Sequence, residues 1–190
     1  KIRHISVGEA NFSIQKDDFQ FFSRFMNSKF SSKELKIKKS NIFLKDTNDE
    51  IILIAQIYKS LLFHDNNKFL NKITLEGEIF KIPFIYEFTR DFKKNKNISL
   101  LKSKKLKLKI ENNTTKVDGT INGLNELSIL NLKLNSNYQL DNNVFSFKSK
   151  SQELTNDTYK YDGKLNLKPS NLILNVDFKI ATKTIANRIK

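Results

Sequence analysis

Cysteine and tryptophan are absent from this sequence of 190 residues, and histidine occurs only at His4 and His64. Without cysteine, the chain has no disulfide framework, thiolate metal site or cysteine nucleophile. Neither histidine has a partner at metal-binding spacing or a nucleophile motif beside it, and His64 is expected to be a surface residue in a turn. We therefore expect no cofactor and no metal, and we predict that the protein is not an enzyme.

Glycine and proline are scarce, with five and two residues, so turns must be made largely by asparagine and aspartate, for example at Asn112 and Asn113. The longest apolar run, residues 51–57, is interrupted by Gln56 and is far shorter than the ~20 residues of a membrane helix. No linker rich in glycine, proline or serine divides the chain, so residues 1–190 are predicted to form one domain. Because the sequence begins at Lys1 rather than Met, we expect a fragment of a longer chain.

The sequence is instead dominated by segments in which apolar and polar residues alternate. The clearest are residues 72–80 (KITLEGEIF), 104–110 (KKLKLKI), 160–167 (KYDGKLNL) and 172–180 (LILNVDFKI). Period-two alternation places one class of side chain on each face of a strand. With short connections, it predicts a mainly β fold: a long antiparallel meander over residues 34–180 that curls into a taco-like groove or folds into a sandwich. After a first short strand at 8–15, the strands are expected at 34–45, 51–63, 69–80, 83–92, 98–110, 116–122, 126–140, 144–150, 158–167 and 172–180.

One segment near the N-terminus has helical periodicity. Phe19, Phe22, Phe25 and Met26 recur at the spacing of one helix face, and aspartates precede them where a helix N-cap is favoured. We predict a short amphipathic helix over residues 17–30 that closes one end of the sheet. In the next segment the alternation changes phase, which predicts a bulge or bend near residues 39–41.

The apolar face of the meander is the candidate functional surface, because a large uncovered apolar area usually marks a binding site. A groove would leave this face open, whereas a sandwich would bury it as an ordinary core, and both fit the same alternation. The residues predicted to line the face are Ile73, Leu75, Ile79, Phe84, Tyr86, Phe88, Leu106, Leu108, Ile110, Leu132, Leu134, Leu172, Leu174 and Val176.

Lysine supplies most of the positive charge. Lys and Arg total 34 against 20 acidic residues, giving a net charge of +14, and few of the basic residues are arginine. Phosphate and base recognition favour arginine, so the lysines indicate a solvated face first and contact with an anionic membrane surface second. The aromatic residues alternate with the lysines instead of sharing their face, which disfavours a surface that stacks nucleic-acid bases.

Three segments carry a family resemblance: residues 76–84 (EGEIFKIPF), 103–113 (SKKLKLKIENN) and 159–169 (YKYDGKLNLKP). From 34 to 180 the chain resembles the AsmA-like family, which includes AsmA and TamB, in its long strands and in breaks of the form glycine, apolar residue, Pro-Phe. The resemblance implies a periplasmic β-groove anchored in the inner membrane by a segment upstream of this sequence. Such a groove shields phospholipid acyl chains in transport between the two membranes of Gram-negative bacteria, and the family supplies no catalytic residues.

The implied partners are phospholipid or another acyl-chain lipid, and adjoining groove segments of the same or another chain that pair with the sheet edges. Two further interpretations stay open from the residues. One is a basic nucleic-acid-binding β domain, and the other is a β-sandwich module for adhesion or carbohydrate binding.

Overall fold

The computed structural model describes residues 4–15, 18–142, 144–152, 158–166 and 176–181. These residues form one sheet of thirteen strands and one short helix, so the predicted mainly β fold is confirmed. The elements are β1 (His4–Gly8), β2 (Asn11–Ile14), α1 (Asp18–Asn27), β3 (Glu34–Lys45), β4 (Ile51–Asp65), β5 (Leu70–Ile79), β6 (Ile82–Asp91), β7 (Lys96–Ser103), β8 (Leu108–Val117), β9 (Thr120–Ile129), β10 (Leu132–Asp141), β11 (Val144–Gln152), β12 (Thr158–Asn166) and β13 (Val176–Ala181).

From β3 to β13 the strands lie across the sheet in chain order, each antiparallel to the next, as the meander prediction requires. β1 and β2 instead pair with β3 in parallel, one beside each half of it. The chain passes from β2 to β3 through α1, the long connection that a parallel pair needs. This edge was predicted as one short strand at 8–15 and is in fact two strands.

Three predicted strands are wrong because each runs through a hairpin turn. Each of these ranges contains the end of one strand, a turn and the start of the next strand. The ranges are 98–110, 116–122 and 126–140.

The first and third of these turns have a signal in the sequence that the alternation conceals. Before the first turn, Leu101 follows Leu100 directly and breaks a series of even-numbered apolar residues; at the third turn, the apolar residues change from odd numbers at Leu127 and Ile129 to even numbers at Leu132 and Leu134. A continuous strand cannot keep both sets on one face, so a turn must intervene. The second turn contains Asp118 and Gly119, a pair that strongly favours two-residue hairpins.

The predicted irregularity near residues 39–41 is present at Lys39, whose φ of 47° lies in the left-handed region. Ser40 is buried beside it, and its hydroxyl accepts a hydrogen bond from the Ala10 N–H at 3.2 Å and donates to the Lys38 carbonyl at 2.9 Å. This serine therefore ties the distorted part of β3 to the segment between β1 and β2. The change of phase in the sequence is the result of this local distortion.

The main buried core lies where α1 covers the sheet. Phe25 and Met26 of the helix pack against a cluster formed by Phe30, Ile73 and Phe88. The helix lies within the predicted residues 17–30 and closes one part of the apolar face, over β4, β5 and β6. Phe19 belongs to the predicted stripe, but its side chain is not among those described.

A buried asparagine holds the helix to the sheet. Asn71 of β5 is 0% exposed, and its Oδ1 accepts hydrogen bonds from the Phe30 N–H at 3.1 Å and from His64 Nδ1 at 2.9 Å. Its Nδ2 donates to the Ser28 carbonyl at 2.6 Å. Because an amide oxygen only accepts, His64 carries its proton on Nδ1. The expectation of a surface His64 is wrong: the side chain is 2% exposed and anchors this network.

We predict that Asn71→Ala lowers the free energy of unfolding by about 2–4 kcal/mol, because it leaves buried donors and an acceptor without partners. Urea denaturation followed by circular dichroism measures the change. Asn66→Ala is the matched control, since Asn66 is exposed in the turn after β4. Equal stability of the two variants would show that the network does not hold the helix in place.

Candidate functional site

The cross-strand register places the side chains of the sheet in continuous rows. We call the face against which α1 packs the inner face, and the opposite one the outer face. Ile73 and Phe88 are directly paired on the inner face, beneath the helix. Because directly paired residues share a face, the inner-face rows can be followed from these residues across the rest of the sheet.

An apolar band crosses the inner face from β5 to β10, two residues wide on β6, β8, β9 and β10 and one residue wide on β5 and β7. Leu75 pairs with Tyr86, and the row continues through Leu101 and Ile110. In each of these six strands the band comprises apolar side chains near the hairpin turns that join β5 to β6, β7 to β8 and β9 to β10. Its members are Leu75, Phe84, Tyr86, Leu101, Leu108, Ile110, Leu127, Ile129, Leu132 and Leu134.

The apolar band is only partly covered. All its members are half-buried, whereas residues between them on the same strands, such as Lys109 and Lys133, are exposed. This asymmetry fits a curved sheet, since side chains crowd together on a concave face. No second layer of described residues other than α1 lies on the band.

A polar row adjoins the apolar band on the side away from those turns. Its members face one another on consecutive strands: Ser99, Asn112, Asn125, Ser136 and Ser149. Ser149 donates a hydrogen bond to the Ser136 hydroxyl at 2.7 Å, and all five side chains are half-buried. The apolar face predicted from the sequence is therefore divided along its length. A dry sandwich core would desolvate this row at considerable cost.

An aromatic cluster lies beyond the polar row, on β10 and β11. The ring centroids of Tyr138 and Phe145 are 5.3 Å apart, and those of Phe145 and Phe147 are 6.1 Å apart. Tyr138 lies across Gly123 of the neighbouring strand and donates its hydroxyl hydrogen to Asn112 Oδ1 at 2.8 Å. Glycine is required at position 123 because any Cβ there would occupy the space of the tyrosine ring.

Most residues predicted to line the apolar face do lie on the inner face. Those placed there by the register are Ile73, Leu75, Ile79, Phe84, Tyr86, Phe88, Leu108, Ile110, Leu132 and Leu134. Leu106 was predicted wrongly, because it lies in the turn between β7 and β8 and is exposed. Leu172 and Leu174 lie outside the described residues. Val176 starts β13 opposite Leu165, but its side chain is not described.

The sequence reasoning missed three members of the apolar band: Leu101, Leu127 and Ile129. It also missed the polar row, because Asn112 was assigned to a turn and is in fact in the middle of β8. The change from odd to even apolar positions after Ile129 would have revealed Leu127 and Ile129, whereas Leu101 follows Leu100 directly and carries no such signal. Nothing in the sequence marks Asn112 as an inner-face residue without the register of its neighbours.

The electrostatics of the two faces differ. On the inner face, burial raises the pKa of the Tyr86 hydroxyl, so the neutral phenol is favoured beside the apolar band. On the outer face, ion pairs such as Lys59 with Glu76, at 3.0 Å, lie in solvent. The pKa of Glu111 is lowered mainly by the hydrogen bond that its carboxylate accepts from Lys109, and next by the hydrogen bond that it accepts from Asn113. Within the described ranges, no three His, Cys, Asp or Glu residues form a group suited to a metal ion.

A separate cleft of about 640 Å³ lies on β9 to β12, mainly on the outer face. Asn137, Lys148 and Asp162 are paired across three of these strands in its wall. Tyr138 and Phe147 of the aromatic cluster also line it, but no member of the apolar band does. The cleft is therefore distinct from the apolar band.

Comparison of the chain with protein-family models, curated proteins and solved structures found no match. The AsmA-like resemblance consequently stays a prediction. The helix in the described part of the chain is too short and too polar to span a membrane.

We predict that Gly123→Ala lowers the free energy of unfolding by about 1–3 kcal/mol, because the new methyl group displaces the Tyr138 ring and breaks its bond to Asn112. Urea denaturation again measures the loss. Gly8→Ala is the control, since the nearest atom to its new Cβ would be the Lys38 carbonyl oxygen at an ordinary 3.9 Å. If both variants unfold at the same urea concentration, Tyr138 does not depend on the space above Gly123.

Proposed function

We propose that this chain is a lipid-binding segment of a β-groove, in which the apolar band holds a phospholipid acyl chain during transport between the inner and outer membranes. The observation that carries this proposal is the half-buried apolar band of the inner face, which no second sheet of described residues covers and which α1 covers only in part. A closed sandwich would cover such a surface with a second sheet. An uncovered apolar surface of this length is suited to a long apolar ligand.

The dimensions of the apolar band suit an acyl chain. Six adjacent strands separated by ~4.8 Å give it a length of about 24 Å. One leaflet of a bilayer has a hydrocarbon thickness of ~15 Å, so an extended acyl chain fits along the band. Each buried CH₂ contributes ~0.8 kcal/mol, which holds a chain without any specific polar contact. Binding of this kind tolerates different acyl chains.

The polar row gives the proposed groove a second function. Its hydroxyl and amide groups run parallel to the apolar band, only two residues further along each strand. A lipid whose chain lies in the band would bring its ester or headgroup oxygens beside Asn112 and Asn125. These amides can donate and accept hydrogen bonds, so the row would keep the polar part of the lipid solvated during transfer.

The wider context follows the AsmA-like resemblance. In this proposal the segment acts in the periplasm, anchored through another part of a longer chain, and contributes to the biogenesis of the outer membrane. Adjoining groove segments would pair with the sheet edges formed by β1 and β2 on one side and β13 on the other. Such pairing would protect the exposed strand edges.

The nucleic-acid alternative is less well supported by the same surfaces. Lysines such as Lys109 and Lys133 lie on the outer face, while Tyr86, Tyr138 and Phe147 lie on the inner face. A base-stacking surface needs both kinds of side chain on one side of the sheet. The carbohydrate or adhesion alternative would need a closed sandwich, and the described residues form a single open sheet.

We predict that the protein purified without detergent carries near-stoichiometric phospholipid, detected by native mass spectrometry and by organic extraction. Leu127→Asp should remove most of this lipid, because it places a carboxylate in the middle of the apolar band. Leu124→Asp is the matched control on the same strand, since Leu124 is exposed on the outer face.

Circular dichroism should show that both variants stay folded. Folded Leu127→Asp protein with unchanged lipid would refute the role of the apolar band. A wild-type protein free of lipid would refute lipid carriage itself, and salt-dependent binding of nucleic acid would then be the next measurement.

A further inference from the structure

Three hairpin turns at one end of the sheet, which we call the tip row, expose apolar side chains to solvent. They join β5 to β6, β7 to β8 and β9 to β10. Their most prominent residues are Phe80, which is 74% exposed, and Leu130, which is 69% exposed, with Leu106 between them. Because antiparallel strands lie ~4.8 Å apart, consecutive tips are spaced by about 10 Å in a line.

The backbone at these tips is strained, and the strain involves the apolar residues themselves. Phe80, Lys81 and Leu130 have φ values of 51°, 60° and 51°. Glycine and asparagine are the residues that normally occupy such left-handed hairpin positions, and large apolar residues there are rare. The turn between β8 and β9, at the other end of the sheet, has Asp118 and Gly119, the residue types that commonly form two-residue hairpin turns. Phe69, in the turn between β4 and β5 at the opposite end, has a φ of 57° as well, so the tip row is distinguished by adjacent apolar and basic tips rather than by this backbone alone.

The tip row is also basic. Lys81, Lys104, Lys105 and Lys107 are exposed in it, and among the described residues no carboxylate lies within ion-pair distance of these four ammonium groups. At the opposite end of the sheet each described turn follows or contains an aspartate: Asp65, Asp91, Asp118 and Asp141. The opposite end carries both signs of charge, since Lys68, Lys93 and Lys94 lie in the same turns, whereas the charged residues in the turns of the tip row are all lysines. The turn after β3 is excluded from the tip row because it contains Asp46 and Asp49.

Neighbouring tips are fastened to one another. Lys105 Nζ donates a hydrogen bond to the Lys81 carbonyl at 2.7 Å, and the Leu130 N–H donates to the Lys107 carbonyl at 3.3 Å. The three turns therefore present their apolar side chains and ammonium groups as one fixed line. A fixed line of this kind meets a flat partner at several points at once, without loss of loop entropy on binding.

We propose that the tip row docks on the surface of an anionic phospholipid bilayer, with Phe80, Leu106 and Leu130 inserted below the headgroups and the four lysines among them. Apolar side chains flanked by lysine match the two layers that a bilayer presents, hydrocarbon beneath negative headgroups. The apolar band begins at the same end, where Leu108, Ile129 and Leu132 adjoin the tips. Docking there places the groove where a lipid can pass from the bilayer onto the inner face.

Vesicle flotation tests the docking, with phosphatidylcholine vesicles that contain phosphatidylglycerol compared with vesicles of phosphatidylcholine alone. The variant Phe80→Asn/Leu130→Asn should bind the anionic vesicles at least about tenfold more weakly, since two inserted side chains are lost. Its thermal stability should not fall, because asparagine suits the left-handed positions. A loss of vesicle binding by this variant would therefore report lost docking and not unfolding.

Phe69→Asn is the matched control: Phe69 is also exposed and has a φ of 57°, but it lies at the opposite end of the sheet. It should bind vesicles as the wild type does. Unchanged binding by Phe80→Asn/Leu130→Asn, or equal loss in Phe69→Asn, would overturn the proposal. So would a single-stranded oligonucleotide that binds the wild type and fails to bind the double variant, since the tips would then recognise nucleic acid.

The absence of tryptophan allows a direct measure of insertion. Emission from Phe80→Trp should shift to the blue with anionic vesicles and be quenched by brominated acyl chains, while emission from Phe69→Trp should not. Docking does not require the groove to carry lipid. Vesicle binding without co-purified lipid would support the docking and refute lipid carriage. Co-purified lipid without vesicle binding would support lipid carriage and refute the docking.

Discussion

The strand register is the constraint on which the rest of this structure depends. Side chains alternate between the faces with a period of two, so a slip of one residue would move a whole strand's apolar residues to the opposite face. The turns after β5 and β9 have only two residues, so they fix the register of the strands that they join. The apolar band, the polar row and the tip row are all consequences of this one alignment.

The register also explains why polar and apolar groups are sorted along the strands as well as between their faces. Ser99, Asn112 and Asn125 would be unremarkable if each stood alone in a strand. Paired across three strands, they form a polar line through the middle of the inner face, beside the apolar band. This division favours a ligand that has both an apolar and a polar part over a purely hydrophobic core.

The sheet is stabilised unevenly. Around Asn71, hydrogen bonds connect β4, β5 and the segment that follows α1, and the helix packs there against the main apolar cluster. Farther along, most inner-face side chains are half-buried and depend on neighbours within the same sheet. In the turns at Phe80 and Leu130, large apolar residues adopt an unfavourable left-handed backbone at solvent-exposed positions. A sheet secured at one end and open along its length suits a segment that must receive a ligand and join other segments.

The sequence by itself determined the class of fold and most of the inner-face residues, because alternation is a local property of each strand. A turn placed wrongly in one part of the chain does not change the alternation elsewhere. It predicted β5 and β6 nearly to their ends, since their turn interrupts an otherwise clear pattern. Only the tertiary structure decided which residues share a row, that His64 is buried, and that Leu106 and Leu130 are exposed at turns. Those facts depend on pairing between distant segments and on left-handed backbone at residues that rarely adopt it, and neither is encoded in local composition.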